Sequence, residues 1–547
     1  MAFDNVDQRI KRWKAAEVER ELKINKFVQA YRLSFPMRDK WLVTGKGSLS
    51  QDKTNFRWDT TAVTGLQAFA SNIQTLLMPA FDQWARFVGA AHFDDTEKHS
   101  MDEQLVGPSN VLFSALQASN LMLEANVSFQ DMGIAVGLMQ IHSTGNKRAP
   151  VRFTAIPMHT VALGQFQGEI QDVYRKFKLP ARDIVATWPD ANLPESIIEA
   201  LKVEPSVEIE LLEGTIYYPN NKAGEKYQYF VTELRTKKDL VVRKQSMSRW
   251  IPFRFAVSPG EVWGDGPVLQ ILDIIRITNK IVEMDVINAG IKIARPLIVN
   301  GSKIMNPNNI KMEPGAIFYV NDLQPGQLPI VPLDVAGDFQ FDQVTLQGYQ
   351  EQIKDALFAD PMGPTNGPQT SATEVSIRQQ NWIKKSASSL GRLTNELLRP
   401  IILKTAVIMQ EQGLMPSQFH IDPDTMEVTV DGAPVDIDFL SPLAELEGDR
   451  KAAKFSQFNQ ELQAIVGPEL SMGALNLTEV PQYLAEQMNI DPHLVKGSAQ
   501  IQQLQAQAQQ AQQQQQQQQQ QAAQQPPVNQ EPVQQQPQLP QLNLSQG

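Results

Sequence analysis

The chain has 547 residues, of which 42% are hydrophobic and 20% charged, and it contains no cysteine. That is the composition of a folded chain too long for one core, and it excludes disulfide frameworks, thiolate metal centres and cysteine nucleophiles. The formal net charge of −11 argues against a protein that grips nucleic acid tightly by its phosphates, which needs a basic face.

The first residues, MAFDNVDQRIKRWKAAEVERELK, lack the apolar core of a signal peptide, so none is expected. An amphipathic helix is predicted over 4–31, ending near Phe35-Pro36, and a polar loop over 44–59. A second helix over 64–78 is stopped by Pro79, a strand follows at 84–88, and helical pattern returns over 109–137. From 151 to 255 the pattern changes to short β-like runs: VRFTAIP, TVALGQF, VEIELLEGTIYY, YQYFVTEL and LVVRK. A helical piece near 181–203 interrupts them. The first half is therefore read as mixed α+β.

Residues 262–299 read VWGDGPVLQILDIIRITNKIVEMDVINAGIKIARPLIV. The glycine turn Gly264-Asp265-Gly266 precedes Pro267, a good first helical residue, and a long helix runs to Arg295-Pro296. Its apolar residues, Leu269, Ile271, Leu272, Ile274, Ile275 and Ile277, cover most of the circumference. Such a helix must be covered nearly all round. Asp273, Arg276, Lys280, Glu283, Asp285 and Lys292 exclude a membrane span. Either it is a central helix of a large core, or it packs between copies of itself in a ring.

A β-rich insert over 295–333 carries two short strands, GAIFYV and LPIVPL, and helical pattern resumes at 339–358. Asp360 to Pro368 is a breaker-rich loop. Ser371 and Glu374 have capping-box spacing at the start of a helix that lasts to about 412, with Gly391 and Pro400 as kinks. A β patch over 426–439 precedes a helical region over 443–495. Beyond Lys496 Gln, Ala and Pro dominate, with Glu531 as the only charge, and the tail is expected to be disordered, the alternative being a helical extension over 501–521.

Catalytic signatures are sparse. A phosphate loop ending at Gly45-Lys46 would need Gly at 40 and Ser or Thr at 47, and the residues there are Lys40 and Gly47. His92, Asp94, Asp95 and His99 have ligand chemistry, but Glu97, Lys98, Asp102 and Glu103 among them read as a polar connector. No nucleophile elbow surrounds any serine. Basic clusters at 9–14, 235–244 and Lys384-Lys385 are offset by nearby acids.

The order of parts resembles phage portal proteins, in particular the head-to-tail connectors of T7-like short-tailed phages. Gly65-Leu66 to Ala70-Ser71, Leu77-Met78-Pro79 and Trp84 are similar to that family's early helix and strand. QDMGIAVGL (130–138) resembles its mid-body helix. Pro252-Phe253-Arg254, Gly264-x-Gly266-Pro267 and Leu272-Asp273 through Asn279 resemble the start of its first stem helix, and Asn489-Ile490-Asp491 a late stretch. The resemblance spans about 5–495.

It implies an α+β portal fold assembled as a ring: a wing (1–266 plus 414–440), stem helices (267–293 and 338–359), a clip (294–337), a channel loop (360–373), a long kinked helix (374–412), a helical crown (441–497) and the Gln-rich tail (498–547). It further implies a ring of twelve copies at one capsid vertex, through which double-stranded DNA passes without tight binding during packaging and ejection. Implied partners are the terminase large subunit, tail adaptor or tail tube proteins, and major capsid and scaffolding proteins; no membrane is involved. The implied location is the virion, with host cytoplasm during assembly. No enzymatic activity, cofactor or metal is implied. Pro361, Met362, Gly363, Pro364, Thr365, Asn366, Gly367 and Pro368 would line the channel, Lys384 and Lys385 would guide DNA, and Ile275 and Ile281 would make stem contacts between copies. The alternatives from other classes are a soluble carboxylate hydrolase and a non-ring scaffold or adaptor.

Overall fold

A computed structural model of the chain describes residues 3–38, 57–80, 82–90, 93, 95–222, 224–294, 297–300, 317–320, 330–332, 339–359, 387–440, 442–467, 475–476, 479–487 and 501. The chain forms two units, 1–93 with 100–447 and 94–99 with 448–547.

Helix α1 (Val6–Ser34) opens on a capping box: Asn5 Oδ1 accepts from Gln8 N–H at 3.0 Å, and Gln8 Oε1 accepts from Asn5 N–H at 3.0 Å. Then come α2 (Thr61–Leu77) and β1 (Ala85–Gly89). Helix α3 (Asp95–Ala118) starts well before the expected 109 and carries Pro108 inside it. Gly107-Pro108 is a breaker signal, yet the helix persists because Leu105, Leu112 and Leu116 bury one face across it. The break falls instead at Ser119-Asn120, before α4 (Leu121–Ile134).

Strand β2 (Val136–Ser143) occupies residues partly read as helix. Its first six residues are all buried, so they show no strand alternation. There follow β3 (Val151–Ala155), β4 (Val161–Phe166), β5 (Glu169–Pro180), α5 (Ala181–Thr187), α6 (Glu195–Val203), β6 (Glu208–Tyr217), β7 (Tyr227–Glu233), β8 (Lys238–Gln245) and β9 (Trp250–Arg254). Next are α7 (Pro267–Gln270), α8 (Leu272–Ile293), the short strands β10 (Leu297–Asn300), β11 (Ile317–Val320) and β12 (Ile330–Pro332), and α9 (Phe339–Ala356). Helix α10 covers 387–411, passing through a π turn at Thr394–Leu398 into Arg399–Glu411. Strands β13 (Phe419–Ile421), β14 (Val428–Val430) and β15 (Ala433–Phe439) precede α11 (Pro442–Val466) and α12 (Val480–Gln487).

Strands β4 to β8 form an antiparallel meander in chain order. Leu211 and Leu212, adjacent on β6, point to opposite faces of it. One face meets α1 through Ile10, Trp13 and Ala16, and the other meets α5 and α6 through Ile184 and Ile197. A second sheet has the order β3–β2–β9. In a third, β1 pairs antiparallel with β15 from Ala85↔Phe439 to Gly89↔Val435, closing early sequence onto late. Strand β10 pairs parallel with β11 and antiparallel with β12. The largest core joins α2, α4, β2, β9, α8, α9 and α10. In the second unit, Phe455 of α11 and Tyr483 of α12 meet at 5.8 Å between ring centroids.

Asp131 lies fully buried in α4 and holds α1 to it. Tyr31 Oη donates to Asp131 Oδ1 at 2.6 Å, and Arg38 pairs with Oδ2 at 2.8 Å. Burial pushes this carboxyl up to about 6 against the pull of Arg38 and Tyr31. A raised carboxyl means the fold keeps a proton that the unfolded chain has released between about pH 4 and 6. Lowering the pH from 7 to 5 therefore favours the fold through this group. The melting temperature of the unaltered chain relative to Asp131→Asn, which cannot titrate, is expected to rise over that interval; a pH-independent difference would contradict the assignment.

Candidate functional site: the paired helices and their anchorage

The start of α7 is set by contact between backbones. Asp265 N–H donates to the Ala256 carbonyl at 2.8 Å and Gly266 N–H to the Ile134 carbonyl at 3.0 Å. A Cβ on Gly264 would lie 2.2 Å from the Ala135 carbonyl oxygen, and one on Gly266 would lie 2.4 Å from that of Gly133. Only glycine permits this approach. Both N–H groups are spent on carbonyls, so the turn is a splice between α4 and α7 rather than an anion site. The single helix expected over 267–293 is interrupted at Ile271, where φ is −110° and ψ 15°.

Helix α8 is then held beside α9 by a polar seam. Asn279 Oδ1 accepts from the backbone N–H groups of Trp58 and Asp59 at 2.8 and 3.1 Å, and Gln350 Nε2 donates to Asp59 Oδ1 at 3.0 Å. Gly65 on α2 gives room to Leu357, whose Cδ1 would be 2.7 Å from an added Cβ. At the end of α9, Phe358 adopts a left-handed conformation with φ 51°, costly for a side chain with a Cβ. Packing offsets that cost. Its ring lies 5.8 Å from Phe255 and 6.3 Å from Phe69, and its carbonyl accepts from Asn72 Nδ2 at 2.8 Å.

Helix α8 is divided along its length. Leu272, Ile275 and Thr278 are buried in the chain's own core, Ile275 at 2% exposure, so Ile275 packs inward. Ile281 is half-buried. Ile277, Met284, Val286 and Ile287 are each about half exposed, and Ile293 is 87% exposed. At 3.6 residues per turn, Ile277 and Met284 share one side while Val286 and Ile293 lie on the opposite one. The early turns of α8 are thus core, and the later ones leave apolar surface on two sides.

Helix α10 runs along the edge of β9 that faces away from β2. Arg254 donates from its backbone N–H to Glu396 Oε2 at 2.9 Å and from Nη2 to Oε1 at 2.8 Å. Lys404 Nζ donates to the Trp250 carbonyl at 2.5 Å. Pro400, expected as a kink, sits just past the π turn, where Arg399 N–H reaches back to Thr394. Proline has no N–H to offer Glu396, and the extra residue of the π turn absorbs the mismatch. Helix continues through Gly391. A cavity of about 650 Å³ lies between α10, β9 and the β4–β5 turn.

Pro361 to Pro368, Lys384 and Lys385 lie outside the described residues. So do His92 and Asp94, while Asp95 and His99 fall on α3. Among the described residues, no group of three or more His, Asp or Glu side chains could hold a metal ion, and no helix is long and apolar enough to cross a membrane. The seam of Asp59, Asn279 and Gln350 and the Arg254–Glu396 pair were not foreseen, since their members are far apart in sequence and belong to no motif.

Replacing Gly266 with Ala forces a Cβ into a carbonyl oxygen and is expected to cost about 2 kcal/mol or more, read as a lowered melting temperature. At Gly391 nothing lies within 4 Å of an added Cβ, so Gly391→Ala in mid-helix is expected to be neutral or to add up to about 1 kcal/mol. Equal effects at the two positions would contradict the splice.

A family model described as bacteriophage head to tail connecting protein matches residues 6–495. A curated relative, the "Probable portal protein" of Bordetella phage BPP-1, is 21% identical over 522 residues, covering 91% of this chain and 90% of the relative. A solved structure described as "Neck of empty GTA particle computed with C6 symmetry" aligns with a TM-score of 0.34 and 9% identity, over 82% of this chain and 98% of that one. With its mixed helices and sheets and a match that runs nearly end to end, the chain belongs to the bacteriophage head to tail connecting protein family, the phage portal proteins.

Proposed function

We propose that this chain is the ring-forming subunit of the DNA channel at one capsid vertex, used to package the genome, to join head to tail and to eject the genome. The observation that carries the reading is the uncovered apolar surface on opposite sides of α8, from Ile277 to Ile293. A monomer leaves these side chains in water. A ring meets each subunit from both flanks, and repeated heterologous contacts close it.

In this reading α8 and α9 are the stem, 294–337 the clip, 360–373 the channel loop, 441–497 the crown, and 1–266 with 414–440 the wing. Pro361 to Pro368 line the narrowest part of the lumen, and Lys384 and Lys385 guide the strand. Met284 and Ile287, beside Ile281, replace Ile275 as the stem contacts. Twelve copies form the ring. The clip receives the terminase large subunit and later the tail adaptors, while capsid and scaffolding proteins meet the rest. A net charge of −11 suits a conduit, because phosphate-neutralising contacts would hold the duplex by several kcal/mol and stall it. The role is structural. The buried carboxylates of Asp131 and Glu213 and the half-buried one of Glu396 are each engaged by an arginine, which gives a hydrolase reading no support.

Met284→Asp combined with Ile287→Asp is expected to abolish assembly while the melting of the monomer stays within a few degrees, because both side chains are already half exposed within the chain. Light scattering and calorimetry separate the two effects; normal assembly by this variant would refute the contact. Shortening 361–368 is expected to leave assembly intact and to lower packaged DNA per particle. Fully infectious particles with normal DNA content would refute the channel role of that loop.

A further inference from the structure

The cavity beside α10 has the form of a groove lined by Glu169, Arg254, Arg392, Glu396 and Lys404, one more positive than negative charge. One stripe of α10, formed by Ser388, Gly391, Asn395, Pro400 and Lys404, makes one wall. These residues cover about 24 Å of helix axis. Strand β9 makes another wall, and among the described residues it pairs with β2 alone. The bond from Ile141 N–H to the Arg249 carbonyl at 3.0 Å sets the alternation, so Trp250, Pro252 and Arg254 turn their backbone groups away from β2.

Helix α10 caps that edge at its two ends, with Lys404 on the Trp250 carbonyl and Glu396 on the Arg254 N–H. Between them stands Pro252, which has no N–H and offers only its carbonyl. Ile170, Val173, Ile251 and Met426 add apolar lining.

The charges do not balance along the groove. Glu396 serves both Arg254 at 2.8 Å and Arg392 at 3.3 Å. Lys404 has the Trp250 carbonyl, and no carboxylate among the described residues pairs with it. An ammonium has three protons to donate. Burial without a counter-charge pushes this amine down to about 7.

We propose that this groove receives an extended peptide segment of a partner protein, which presents a carboxylate side chain to Lys404 Nζ and one backbone N–H to the Pro252 carbonyl. Three features fit that occupant. The volume lies in the range of peptide and ligand sites. An extended hexapeptide spans about 20 Å, close to the length of the helix stripe. The segment's carboxylate supplies the missing counter-charge beside the apolar lining, and the Pro252 carbonyl is a backbone acceptor on this edge that α10 does not cap. The assignment does not depend on ring formation.

The test uses the full chain and two pools of blocked hexapeptides, alike except that one fixed position is Glu in the first and Gln in the second. Equilibrium dialysis with mass-spectrometric readout is expected to retain the Glu pool about tenfold over the Gln pool. The preference should vanish in Lys404→Met, whose fold is checked by its melting curve, and persist in Lys354→Met, which alters an exposed lysine of α9. Equal retention of the two pools by the unaltered chain would overturn the proposal without reference to any variant. So would a Glu preference that survives in a folded Lys404→Met chain, or acetate binding as tightly as the Glu pool, which would reduce the groove to a bare anion pocket.

Discussion

Two glycines pressed against three backbone carbonyls decide where the paired helices stand. Gly264 and Gly266 bring the end of β9's exit loop onto the junction of α4 and β2, at Gly133, Ile134 and Ala135, closer than any Cβ permits. From that splice Pro267 can only lead outward into α7 and α8. The aromatic trio of Phe69, Phe255 and Phe358 then fixes the end of α9 against the same body. Hydrogen bonds through Asp59 tie α8 and α9 together. The pair is thus rooted at both chain ends while its far part carries apolar surface. Rigid anchorage of an uncovered surface suits assembly, because little ordering entropy remains to be lost when a neighbour covers it.

Helix α10 is anchored differently. Its hydrogen bonds to β9 are made by charged side chains, Glu396 within the π turn and Lys404 beyond it. Each contact serves an edge strand that would otherwise present free backbone groups, a liability that proteins commonly cover. Arg254 is nearly fully buried, so Glu396 is required as its partner; removing one member of such a pair costs far more than the pair contributes in net terms.

Much of the fold was legible in the sequence where local signals and tertiary burial agree. The amphipathic run of α1, the glycine turn before Pro267 and the β-like runs of the meander all carry their cause in nearby residues. The misses have a common origin. Gly107-Pro108 reads as a helix end, but Leu105, Leu112 and Leu116 hold α3 straight through it. Strand β2 is buried on both faces, so Val136 to Ile141 show none of the alternation that marks a strand. The seam of Asp59, Asn279 and Gln350 joins residues from three distant segments, and no spacing rule reaches across such intervals. Even Ile275, which reads as surface for a neighbour on a helix apolar all round, belongs to the chain's own core, because periodicity gives a direction around a helix but not the point along it where the body ends.

In the proposed ring, copies of the same chain cover the apolar side chains exposed between Ile277 and Ile293. Native mass spectrometry of the purified, unaltered protein tests this most directly. A single closed assembly of many copies, with no substantial monomer at micromolar concentration, is the predicted result. A monodisperse monomer under the same conditions would contradict it.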